Sequence, residues 1–156
     1  MSRMRRHEGR NKEIQLAQNV LLAAVAGGTA ADFETPLAAI SDLTALYPSG
    51  QKGAAPNNNV KLRTLNIVAA AVVTGSNTHN CTININQWRA GVNIATLCSY
   101  ALTQGNNLAQ NTPLQLVPSG NVTLQRGDVI TVQRVSNDAT GLATPQMLIQ
   151  AEWAAI

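Results

Sequence analysis

The stretch Cys81–Gly91, CTININQWRAG, decides how this chain is read. Cys81, Ile83 and Ile85 fall on one side of it, and Thr82, Asn84 and Asn86 on the other. A period of two belongs to a strand with one dry face and one wet face. Ile and Thr are stiff at χ1 and suit a pleated surface. After Trp88 the pattern ends in Arg89-Ala90-Gly91, a polar break where glycine can take a positive φ and let the chain reverse. The stretch carries no catalytic motif. It reads as the middle of a β-sandwich.

Working outward, turn signals and short apolar runs alternate at roughly ten-residue spacing from Val60 onward, as in antiparallel sandwiches and barrels. Val60–Val73 is a long strand candidate, followed by a polar turn at Thr74–Asn80. A turn at Arg89–Asn93 leads to a strand over Ile94–Thr103. Shorter strands are expected at Pro113–Val117, Val122–Gln125, Val129–Val135 and Gln146–Trp153. Before Val60 the pattern is weaker. Ile14–Ala26 fits a helix by composition and a strand by parity, with a slight lean to an extended arm and strand. Ala30–Ile40 contains Pro36 and fits an edge strand, because proline is confined to edges and bulges. Ser41–Tyr47 fits a helical turn, and 48–59, PSGQKGAAPNNN, a long loop. The expected architecture is all-β: an antiparallel, jelly-roll-like β-sandwich with an extended basic N-terminal arm. The arm covers residues 1–26, and a single sandwich domain covers 27–156.

Charged residues make up 12% of the 156 and aromatic residues 3%. A soluble domain usually carries about a quarter charged residues, so this surface must be covered mainly by Asn, Gln, Ser and Thr. Such a surface suits an assembled or fibrous structural protein better than an intracellular enzyme. The net charge of +3 comes from the start of the chain, where Arg3, Arg5, Arg6, Arg10 and Lys12 stand against Glu8 and Glu13. A basic arm on a neutral body suits an acidic surface or nucleic acid. Cys81 and Cys98 have no CxxC or Cys/His company and read as buried thiols; a disulfide would need adjacent, aligned strands. The opening residues do not read as a secretory signal, and no run is apolar enough to cross a membrane.

The histidines are His7, in the arm, and His79, in a polar turn, and neither has a carboxylate pair nearby. GxSxG, HExxH, GxGxxG and P-loop motifs are missing. No enzymatic activity, cofactor or metal is expected. Arg126-Gly127-Asp128 spells an adhesion tripeptide, but the plainer reading is a hairpin turn in which Asp bonds its own backbone. Asn80 and Asn121 head glycosylation sequons in a chain where Asn is abundant, so chance matches are expected. Trp88 and Arg89, with Trp153, fit either an interface or a covered sandwich end.

From about Val60 onward, the order of features resembles the small β-sandwich decoration (cement, or head-stabilising) proteins of tailed bacteriophages. The run is VKLRTLNIV, a polar turn GSNTHN, a strand ending in an Arg and a Gly (TININQWRAG), the hairpin VTLQRGDVITVQRV, and GLATP before MLIQAEW. The matching positions are Arg89 and Gly91, Gly127 and Asp128, and Gly141 with Pro145. The basic arm and the 48–59 loop depart from the pattern. The resemblance implies a non-enzymatic virion protein on the outer surface of an icosahedral head. It would bind the major capsid protein, as a homotrimer, and cement neighbouring subunits. Arg3, Arg5, Arg6, Arg10 and Lys12 would anchor it, aided by Ile14 and Leu16. Direct contact with nucleic acid or a membrane is not part of this expectation. Two rival readings are a jelly-roll coat protein whose arm faces nucleic acid, and a receptor- or glycan-binding fibre knob.

Overall fold

A computed structural model describes residues 15–29, 31–39, 60–118, 123–125, 127–137 and 139–155. Nine strands run through them: β1 (Gln15–Leu22), β2 (Phe33–Ala39), β3 (Val60–Ala69), β4 (Cys81–Arg89), β5 (Val92–Leu102), β6 (Leu114–Leu116), β7 (Thr123–Leu124), β8 (Asp128–Ser136) and β9 (Met147–Ala155). They form two antiparallel sheets, the β-sandwich expected from the alternation. One sheet has the order β1-β9-β3-β6, with β7 also on β3; the other has the order β2-β8-β4-β5. β6 and β7 pair with the same strand in sequence, against Leu65–Ile67 and Val60–Lys61.

The core lies between the sheets and follows the period of two. On β4, Cys81, Ile83 and Ile85 are fully buried, with Val132 of β8 opposite Ile85. The facing sheet supplies buried cross-strand rows: Ile149 of β9 opposite Ile67 of β3, and Met147 opposite Leu22 of β1 and Ala69 of β3. Each such row removes apolar area from water at about 25 cal/mol per Å². The centre is therefore held by aliphatic packing, as the scarcity of aromatic residues requires.

Several boundaries differ from the sequence reading. β3 ends at Ala69, and Val73 instead exchanges both backbone hydrogen bonds with Leu108, at 2.9 and 3.0 Å. The β4–β5 turn is only Ala90-Gly91, with φ of 50° and 78°. Both residues are left-handed, the geometry that a two-residue hairpin needs to match strand twist. Within the segment read as an arm, Gln15–Leu22 is a sheet strand paired along its whole length with β9. Pro36 does sit on an edge strand, beside a bulge. Cys81 lies opposite Leu102, and Cys98 opposite Ile85, so the thiols are on adjacent strands but out of register and form no disulfide. Burial pushes the Cys98 thiol up to about 12. Residues 1–14, Ser41–Tyr47 and the 48–59 loop lie outside the described residues.

Candidate functional site

Among the described residues, three polar clusters lie on the β2-β8-β4-β5 sheet or its ends, while β3 and β9 of the other sheet carry the pairs Thr64–Glu152 and Asn66–Gln150. The first is where β4 ends and β8 begins. Register puts Arg89 opposite Asp128. Arg89 Nε donates to Asp128 Oδ1 at 2.7 Å and Nη2 donates to Oδ2 at 2.9 Å. Gln87 Nε2 and the Gln125 amide also donate to Oδ2, at 2.7 and 2.9 Å. Asp128 is 0% exposed, while the Arg89 side chain is 40% exposed. Burial pushes the Asp128 carboxyl up. The hydrogen bonds from Arg89, the Gln125 amide and Gln87, with the Arg89 charge, outweigh burial and hold it below its ordinary value. A carboxylate enclosed in this way cannot serve as an adhesion ligand, so the Gly127-Asp128 hairpin has a structural role; Arg126 lies outside the described residues.

The second place is the outer face of the same sheet. Glu34 Oε1 of β2 accepts from Trp88 Nε1 at 2.7 Å, from Asn86 Nδ2 at 3.1 Å, and from the Thr131 hydroxyl. Asn86 also donates to Gln133 Oε1 at 3.1 Å, and the Thr96 hydroxyl donates to Asn86 Oδ1 at 2.9 Å. One strip of side chains thus crosses all four strands. Asn86 is 1% exposed although it belongs to the polar face of β4. That face was expected to be wet, but neighbouring polar side chains cover its centre. Partial burial pushes Glu34 up, and the bonds from Thr131, Asn86 and Trp88 outweigh it and hold the carboxyl below its ordinary value.

The third place is Arg134, wholly buried on the inner side of β8. Its Nη2 donates to the Leu142 carbonyl at 2.7 Å, and Nη1 donates to Ser136 Oγ at 2.9 Å and to the Ala31 carbonyl. It ties the chain ahead of β2 and the segment after β8 to the sheet.

The first two clusters bond mainly within themselves, and Arg134 bonds carbonyls and Ser136 through both terminal nitrogens while its buried Nε has no partner. Such an arrangement sets a rigid polar surface and fixes strand ends. His79, in the polar turn, meets Thr78 Oγ1 at 3.0 Å. Among the described residues, no His, Cys, Asp and Glu gather in a group of three that could hold a metal ion.

Of the residues singled out from sequence, Trp88 and Arg89 are both tied into the fold, through Glu34, Thr131 and Asp128. Trp153 lies on β9, in register with Leu16 of β1 and Leu62 of β3. Leu16 is thus a sheet position. Arg3, Arg5, Arg6, Arg10, Lys12 and Ile14 lie outside the described residues. The sequence reading missed Glu34, Gln87 and Arg134. A signal was present for Arg134, because Asp128, Ile130, Val132 and Arg134 share one parity, placing both charges on the core face. Glu34 had none, since its partners are separated from it by about 50 residues or more.

No protein-family model matches the chain, and no curated protein sequence matches it. Solved structures similar to it include one of the infectious bursal disease virus Gt strain, with 13% identity and a TM-score of 0.29, over 93% of this chain and 33% of that one. The Gx strain gives 11% identity and a TM-score of 0.29, over 92% and 29%. A mutant VP2 protein of the same virus, from derived T=1 particles, gives 13% identity and a TM-score of 0.28, over 92% and 29%. The chain spans about a third of those chains' length. The two-sheet architecture rests on this chain's own strand pairing.

Proposed function

We propose that this chain is a non-enzymatic structural protein of a virus particle. On this reading it is a decoration protein that binds the outer surface of an icosahedral bacteriophage head and bridges neighbouring copies of the major capsid protein. One observation carries the reading. Two of the motifs that carry the resemblance, the strand ending in Arg89 and Gly91 and the hairpin through Gly127 and Asp128, meet in space. Arg89 and Asp128 form a two-point ion pair that closes the end of the sheet. Motifs about 40 residues apart in sequence therefore act as one structural unit. The charge-poor surface fits a protein covered by neighbours, and many modest contacts made at once give strong overall attachment.

Attachment falls to the basic segment Arg3, Arg5, Arg6, Arg10 and Lys12, with Ile14 and Leu16, because the body after residue 13 is electrically neutral. The test is binding to expanded heads lacking the protein, comparing the whole chain with one lacking residues 1–13. The truncated chain keeps its β circular-dichroism spectrum and loses occupancy on heads. Equal occupancy overturns the reading of the arm, and failure of the whole chain to bind heads overturns the decoration reading.

A further inference from the structure

Three of the four borders of the two sheets carry features that hinder pairing with another chain. β2 contains Pro36 and a bulge between Pro36 and Ala38. β5 has two irregularities toward β4, and Asn106 Nδ2 donates to its Ala101 carbonyl at 3.2 Å. The border beyond β3 consists of β6 and β7, pieces of three and two residues. Natural sheets use proline, bulges and short pieces in this way because an open edge is a template for a further strand.

β1 has none of these. Its eight residues, QLAQNVLL, contain no charge, proline or glycine. All eight pair with β9 without a register shift. Among the described residues it borders its sheet, and no backbone hydrogen bond reaches its outer side. β2 lies alongside it across the sandwich without pairing to it. Beside this edge, on the outer face of the sheet, Leu21 is 57% exposed and stands opposite Leu148, which is 37% exposed. Among the described residues, a hydrogen-bonding edge without a partner strand and an exposed apolar pair therefore adjoin.

We infer that β1 is an association edge that pairs antiparallel with β1 of a second copy of this chain, about a two-fold axis. Antiparallel pairing about a two-fold axis brings together positions symmetric about that axis, and β1, which carries no charge, has no like charges to oppose there in any register. The pairing joins two five-stranded sheets into one continuous sheet and places each Leu21 against the outer face of the other strand. This inference does not rest on the virion reading, and it departs from the homotrimer that the resemblance implies.

The test is sedimentation equilibrium of the full chain, with hydrogen exchange measured at low and high protein concentration. The expected result is a monomer–dimer equilibrium in which β1 amides facing away from β9 exchange more slowly as concentration rises. Leu21→Lys, at an exposed position, weakens the dimer about tenfold or more, equivalent to about 1.4 kcal/mol. Circular dichroism of that variant reports its fold, and exchange on the unaltered chain decides the matter if the variant does not fold. A monomer at every concentration overturns the inference. So does a trimer, because two-fold strand pairing closes at two copies. It is equally overturned by β1 exchange that is independent of concentration, or by a folded Leu21→Lys chain that dimerises as before.

Discussion

Asp128 illustrates how a charge can be buried in this chain without a large cost. Desolvation of a carboxylate is expensive, and here two guanidinium bonds, a side-chain amide and a backbone amide offset it. Removing the carboxylate strands those donors, so Asp128→Ala is expected to lower stability by about 3 kcal/mol, measured by urea unfolding. The same geometry fixes a pH dependence. Asp128 and Glu34 are held below the values they have in the unfolded chain, which are near about 3.9 and 4.3. Their contribution is complete above those values and is lost as pH falls through the lower folded ones. Unfolding free energy should therefore drop between about pH 5 and about pH 2, and less steeply in a chain carrying Asp128→Asn and Glu34→Gln. An unchanged slope in the double variant would count against this account. Sequence made one side of this pair visible, through the hairpin reading of Gly127-Asp128. Arg89 as its partner emerged only when β4 and β8 were placed side by side.

Among the elements, the β4–β5 hairpin and the turn before β4 show where local chemistry sets the fold. Ala90 holds a positive φ of 50° that glycine or asparagine adopts more readily. Ala90→Asn should raise stability by roughly 0.5 kcal/mol, visible as a higher urea midpoint at unchanged slope. Gly75 faces the opposite constraint. A Cβ there would lie 2.7 Å from the Thr103 amide nitrogen and against the Leu102 carbonyl, both backbone atoms that cannot swing aside. Gly75→Ala should cost about 2 kcal/mol, with the loss read by thermal or urea unfolding. The turn at Gly91 was legible because glycine there ends an alternating strand. The close approach at Gly75 was not, because it depends on how residues 73–75 pass the end of β5.

For the whole molecule, the position of β1 separates two truncations. Losing residues 1–13 removes a basic segment that precedes the first strand and should leave the unfolding midpoint unchanged. Losing residues 1–22 removes β1, uncovers the edge of β9, and takes Leu22 out of the core opposite Met147. That chain is expected to be insoluble or to melt well below the parent, since a long bare edge and a stripped core face both favour association. Equal melting of the two truncated chains would mean that β1 contributes little to the sandwich.

By itself the sequence determined the all-β class, the core face of β4, the edge position of Pro36 and the turn at Gly91. Each of these is a local consequence of period-two alternation or of a single residue's backbone freedom. Only the tertiary structure decided that the polar face of β4 is covered at Asn86, that Arg89 closes on Asp128, that Arg134 is buried among carbonyls, and that Cys81 and Cys98 miss each other in register. Those outcomes depend on which strands become neighbours. Alternation says which side of a strand is dry, but strand order and register decide what each side chain meets there.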